Sequence, residues 1–281
     1  MIKLTVAERN ALALTAKEEL AWHNYADYFQ LANPGMKMYP HVKLICDKLQ
    51  KIADGEQHFY IIELGPQHGK SLTITKTFPS YFLMKYPDKH AMIVAYSQDL
   101  YSQFAASNRR AFFDWCGSVP YPGLKLGKNT AQTFTIQDHG GGFYATSVLG
   151  GATGMSADLL IIDDPVKNAE EAHSMTVKNK IWDEWNLTFY PRLQKGGSVC
   201  AFATSASASA LVAFAFSIFN CASPLCRPIA SVCPAGMSVA IAGSLISSHG
   251  NNERCNKCPA KSSVCHLVMI TITEPPFCRR G

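Results

Sequence analysis

Apolar positions change their period several times before residue 204, and each change marks an element. In HVKLICDKLQKIADGE (His41 to Glu56), Val42, Leu44, Ile45, Leu49 and Ile52 recur at helical spacing, which predicts an amphipathic helix. FYIIEL (Phe59 to Leu64) is a short apolar run of strand type, followed at once by a loop and a predicted helix over Ser71 to Met84. HAMIVAYS (His90 to Ser97) reads as a second buried strand, and QDLYSQFAASNRRAFFDW as a long amphipathic helix. TFTIQDHGGGFYATSV sets two strand-forming runs on either side of an Asp-His-Gly-Gly-Gly turn, a hairpin signal. ADLLIIDDP is a buried strand ending in two carboxylates, SMTVKNKIWDEWNLTFY reads as a helix, and SVCAFAT as another strand. Strands alternating with helices imply an α/β fold with a mostly parallel central sheet flanked by helices.

After Thr204 the pattern dissolves. SASASALVAFAFSIFNCASPLCRPIASVCPAGMSVAIAGSLISSHG holds one charged residue, Arg227, and has no steady period, so it reads as low-complexity sequence of uncertain structure. The chain therefore divides into an N-terminal helical segment (1–40), an α/β domain (41–204) and an Ala/Ser/Cys-rich tail (205–281).

Charge and cysteine usage sharpen that boundary. The 281 residues carry a formal net charge of +5, with 47% hydrophobic and 17% charged residues. Up to Cys200 there are 20 basic and 19 acidic residues; from Ala201 onward there are 6 and 2. The globular part is thus almost neutral, and overall charge alone does not argue for nucleic acid. Eight of the ten cysteines lie from Cys200 to Cys278, and the two earlier ones suit a reducing, intracellular setting. MIKLTVAERN has no basic region followed by an apolar run, so no secretory signal is expected.

The chemistry centres on LGPQHGKS, residues 64 to 71. A phosphate-binding loop usually reads G-x-x-x-x-G-K-[ST], but here Leu64 occupies the first glycine position and Gly65 stands one place late. The context of strand, glycine-containing turn and helix still suits a P-loop, where backbone N–H groups and the helix N-terminus meet phosphates. Gly65, Pro66, Gln67, His68, Gly69, Lys70 and Ser71 would form this ATP-binding loop. Lys70 would reach the β- and γ-phosphates, and the Ser71 hydroxyl would ligate Mg²⁺. The competing reading is a chance tripeptide at a helix start.

LLIIDDP (Leu159 to Pro165) lies about 90 residues downstream and delivers Asp163 and Asp164 at a strand's C-terminal end, where ligands sit in open α/β sheets. Asp163 suits the Walker B role at Mg²⁺, and Asp164 is placed to orient or deprotonate the attacking water. Standing alone, Asp-Asp-Pro would be better read as a turn.

From about His41 to Thr204 the chain resembles the ATPase domain of the large terminase subunit of tailed bacteriophages. The resemblance rests on GPQHGKS, VAYSQDL, GGATGMSADLLIIDDPVKN and EWNLTFYPRL, in that order. The family loop commonly reads P-P-R-H-G-K-S. The resemblance implies an Mg²⁺-dependent ATPase that packages double-stranded DNA into a procapsid. It also implies a portal protein and a small terminase subunit as partners, a homo-oligomeric ring, and the bacterial cytoplasm as its setting. No membrane partner is expected. His41 lies where relatives have an aromatic or histidine-rich approach to the nucleotide.

Two departures from the family pattern stand out. Gln67 replaces an arginine that can neutralise charge developing on the γ-phosphate, leaving Arg109, Arg110 and Arg192 as substitutes. The third ATPase motif, T-R-W-H-E-D-D-L, is reduced to Thr204 and Leu211 with SASASA between them. The nuclease domain that follows in relatives needs several metal-binding carboxylates, whereas only Glu253 and Glu274 are acidic beyond residue 204. No nuclease activity is expected, and a truncated or frameshifted C-terminus would account for the change of texture.

Other readings remain open. Cys255, Cys258, Cys265, His266 and Cys278 could supply zinc ligands, and the uncharged stretch from Gly196 to Cys226 is long enough to span a bilayer. A helicase-like or DNA-repair P-loop ATPase is the rival enzyme; a degenerate prophage remnant without activity is the rival non-enzyme.

Overall fold

A computed structural model describes residues 5–117, 123–150, 154–167, 170–171 and 174–203, with the backbone of strands 228–232, 238–242 and 267–272. The helices are α1 (Val6–His23), α2 (Tyr25–Ala32), α3 (Pro40–Ala53), α4 (Phe78–Lys85), α5 (Gln98–Trp115) and α6 (Met175–Glu184). The strands are β1 (Phe59–Leu64), β2 (His90–Ala95), β3 (Leu126–Asn129), β4 (Thr133–Ile136), β5 (Gly142–Ser147), β6 (Ala157–Asp163), β7 (Leu193–Ala203), β8 (Pro228–Val232), β9 (Ser238–Ala242) and β10 (Leu267–Ile272). Among the described residues, eight strands form one mixed, mostly parallel sheet in the order β10-β1-β7-β6-β2-β5-β4-β3, and β8 and β9 form a separate antiparallel pair. The expected α/β class is therefore the observed one.

The chain divides into two compact units, Met1–Gly55, Gly69–Ala91 and Ser102–Ala145 in the first, and Glu56–His68, Met92–Tyr101 and Thr146–Gly281 in the second.

In the second unit, β7 is the organising strand. It pairs in parallel with β1, from Phe59↔Val199 to Glu63↔Ala203, and with β6, where Asp163 is opposite Phe202. The apolar runs that predicted β1 and β6 are buried almost throughout, as a strand covered on both faces must be. β7 begins at Leu193, five residues before SVCAFAT, because the polar LQKGG segment joins the ladder without an apolar signal. The last predicted helix is α6 followed by a π-turn over Trp185–Phe189 and a 3₁₀ turn over Tyr190–Arg192.

In the first unit, Thr5 and Glu8 form a reciprocal capping box at the start of α1. Pro40 opens α3 at a position where a missing N–H costs nothing. Of the predicted α3 stripe, Val42, Ile45, Leu49 and Ile52 are buried and Leu44 is half-buried. Tyr25 packs against Phe78 and Tyr81 with ring centroids 4.9 and 5.2 Å away, making an aromatic core under the helix that follows GKS. That helix is not regular: Leu72–Thr77 is π-helical before α4 begins. β4 and β5 form the predicted antiparallel hairpin, and β3 extends it. Gly141 in the turn could not be another residue, since a Cβ there would lie 2.3 Å from the carbonyl oxygens of Pro87 and Lys89.

Residues 204–211, the tail cysteines from Cys221 onward and most of the uncharged stretch lie outside the described residues. The first eight residues of that stretch, Gly196–Ala203, belong to β7. Among the described residues no helix is long and apolar enough to cross a membrane.

Candidate functional site

Leu64, buried at the end of β1, hands the chain to a loop with an alternating backbone. Gln67 has φ +62° and Gly69 φ +79°, so residues two apart take the left-handed conformation. Such alternation turns successive N–H groups into one concavity, the geometry that holds anions in phosphate loops. Gly69 is suited to it; for Gln67 the same conformation costs roughly 1–2 kcal/mol.

The displaced glycine has a steric explanation. A Cβ on Gly65 would lie 3.1 Å from both Cε1 and Nδ1 of His68, because the imidazole folds back over that position. His68 is held there by Nδ1–H donating to Pro66 O at 2.6 Å. Gly65 is therefore the partner of His68, and Leu64 is simply the last residue of the strand.

Lys70 and Ser71 open the helix. Lys70 is only 7% exposed, which for a lysine requires that its charge be engaged. Gly69 O anchors the first turn by accepting from Thr73 N at 2.9 Å and Thr73 Oγ1 at 3.0 Å. Val42 of α3 is the side chain nearest the Gly69 Cα, with Cγ2 3.9 Å from an ideal Cβ position. Just before it, His41 stacks on Tyr39 with ring planes 6° apart and centroids at 5.7 Å.

In the second unit, Asp163 ends β6 and is 4% exposed. Ile62 and Asp163 both have Phe202 as register partner, so they stand level on the two sides of β7. The parallel strands β1 and β6 consequently release Gly65–His68 and Asp163–Asp164 at one end of the sheet, as LGPQ and LLIIDDP predict. Asp164 is half-buried, has φ +44° and immediately precedes Pro165, a position crowded by the proline ring. Its N–H donates to Phe202 O at 3.0 Å, one bond beyond the strand.

The three arginines proposed as substitutes for the loop arginine are each tied locally. Arg109 Nη1 donates to Thr130 O, and Arg192 Nη1 to Thr188 O. Arg110 Nε lies 3.6 Å from Asp114, one helical turn along α5.

The described residues contain no group of three or more His, Cys, Asp or Glu able to hold a metal by themselves. Taken singly, the Ser71 hydroxyl and the Asp163 carboxylate are oxygen donors of the kind that Mg²⁺ takes.

Sequence reasoning missed the π-helical register after Ser71 and the buried Asn108 of α5 that bonds to it. The available signal was Pro79, which deletes one backbone donor inside a predicted helix.

Comparison with known proteins gives a family match and a structural likeness. The family profile described as "Terminase large subunit, T4likevirus-type, N-terminal" matches residues 61–206. Among solved structures, the large terminase of bacteriophage HK97 matches with a TM-score of 0.38 and 14% identity, covering 61% of this chain and 34% of that one. The chain thus spans about a third of that terminase. No curated protein matches.

Proposed function

The chain belongs to the terminase large-subunit family, and from that premise we propose that residues 41–204 are an Mg²⁺-dependent ATPase driving double-stranded DNA into a phage or prophage procapsid. The observation that carries this reading is the shared sheet end from which β1 releases the glycine loop and β6 releases Asp163 and Asp164. The loop N–H groups and Lys70 bind and orient the β- and γ-phosphates. Ser71 and Asp163 would hold Mg²⁺, which when bound would supply positive charge against the nucleotide phosphates. Asp164 accepts a proton from the attacking water or orients it. Partners under this reading are duplex DNA, a portal protein, a small terminase subunit and further copies in a ring, all in the bacterial cytoplasm.

The test is a packaging reaction with cognate procapsids, scored as ATP-dependent protection of duplex DNA from nuclease. Protection lost in Lys70→Ala supports the motor. Translocation stimulated by single-stranded DNA, with no protection, favours the helicase-like reading. An inactive remnant is favoured by one specific feature, SASASA in place of the third motif between Thr204 and Leu211. Under that reading the chain binds nucleotide weakly or not at all and protects no DNA.

A further inference from the structure

The helix after the phosphate loop carries two irregularities, a widened turn and a proline that lacks a backbone donor. LTITKT (Leu72–Thr77) is a π-helix, and its β-branched Thr73, Ile74, Thr75 and Thr77 crowd the tighter α-helical turn. Pro79 follows and has no N–H to give the carbonyl four residues back, that of Thr75. Thr73, Thr75 and Ser80 are completely buried, so water cannot make up the loss.

Asn108 of α5 makes it up. Its side chain is 0% exposed. Nδ2 donates to Thr75 O at 2.7 Å and to Phe104 O at 2.9 Å, and Oδ1 accepts from Ser80 N at 3.1 Å. The carbonyl partners and the N–H partner together fix the orientation of the amide. Ser80 Oγ donates to Thr77 O at 2.8 Å, and the Tyr25 hydroxyl donates to Thr73 O. The π register is thus closed by side chains from α2, α4 and α5, with Asn108 bridging both sides of Pro79.

We propose that Asn108 is a positioning residue for the phosphate loop, holding the π register that sets the direction in which Lys70 and Ser71 leave the helix. This rests on the nucleotide-binding reading given above. The C-terminal part of the helix cannot follow a change of register, because Phe78, Tyr81, Phe82, Leu83 and Met84 are buried. Relaxing the widened turn by one residue would rotate the preceding residues by roughly 100° and shift them by about 1.5 Å relative to α4. Displacements of that size at a phosphate site cost on the order of a hundredfold in rate.

The test compares wild type, Asn108→Ala and Asn108→Ala/Pro79→Ala. Replacing Pro79 by alanine returns the backbone donor that Thr75 O needs in an α register, so the double variant separates carbonyl satisfaction from register. The double variant is expected to melt within about 5 °C of wild type. Its ATP turnover should stay about a hundredfold down, with faster hydrogen exchange confined to residues 70–77. Wild-type turnover and exchange in the double variant would show that Asn108 only satisfies a carbonyl, and would overturn the proposal. So would a double variant that fails to fold, since the amide would then be a core requirement. If wild type neither binds nor hydrolyses ATP, the nucleotide reading fails. The exchange comparison then decides for Asn108 by itself: faster exchange at residues 70–77 supports the register role and unchanged exchange refutes it.

Discussion

Asp164 donates its backbone N–H to Phe202 O at 3.0 Å while its own φ is +44°, so the second carboxylate of the pair is held in a left-handed conformation directly against β7. A non-glycine residue in that region costs roughly 1–2 kcal/mol, and asparagine tolerates it better than most. Asp164→Asn therefore keeps the backbone and removes the carboxylate that the proposed chemistry assigns to the attacking water. Chemical denaturation should place its stability within about 0.5 kcal/mol of wild type. Turnover should fall by about a hundredfold or more, as expected for loss of a general base.

Gly65 and His68 should behave as a coupled pair. The Gly65 backbone lies outside the left-handed region, so the obstacle to a side chain is only the imidazole 3.1 Å away. Gly65→Ala should push His68 off Pro66 O and weaken ATP binding, and His68→Ala in that background should recover part of the loss. A double-mutant cycle on ATP affinity should give an interaction energy of about 1 kcal/mol. Additive effects would contradict the pairing.

Gln67 already takes the left-handed conformation that an arginine would need there. Gln67→Arg should cost no further backbone strain and place a fixed positive charge at the loop. Under the proposed chemistry, steady-state ATP turnover should rise by about tenfold or more. No change in kcat would show that another group already fills the role.

The sheet and the strand ends that carry Gly65–His68 and Asp163–Asp164 were legible because buried parallel strands are written as unbroken apolar runs. FYIIEL ends at Leu64 as read, whereas the strand read as ADLLIIDDP ends at Asp163. β3 was not legible: LGKN is half to fully exposed and carries no β-branched residue. The π register was hidden because apolar spacing cannot separate one widened turn from an α-helix. Asn108 was hidden because an asparagine beside Arg109 and Arg110 reads as part of a solvated face, whereas it is buried for its bonds to Thr75, Phe104 and Ser80. His68 could be placed in the loop from sequence, but its contact with Gly65 depends on a side-chain rotation that spacing does not encode.

Asp88 ties the β4–β5 hairpin to the chain before β2. Its Oδ1 accepts from Gly140 N at 3.0 Å and lies 3.2 Å from His139 Nδ1. The Gly140 N–H, then the histidine, hold its carboxyl below the ordinary value of 3.8. A depressed carboxylate stabilises the fold above its unfolded pKa, and that contribution is lost as pH falls through the folded one. Part of the loss of stability below about pH 4 should therefore come from this residue. Asp88→Ala should be less stable at neutral pH and flatten the acid limb of a melting-temperature profile; an unaltered limb would exclude it.

The most direct measurement of the central claim is Mg²⁺-dependent ATP turnover by the chain, Lys70→Ala and Asp164→Asn side by side, with nucleotide binding measured separately. Turnover by the parent chain that needs Mg²⁺ and drops by about a hundredfold in both variants, with Asp164→Asn still binding ATP, is the predicted result. The same background rate in all three proteins would contradict it.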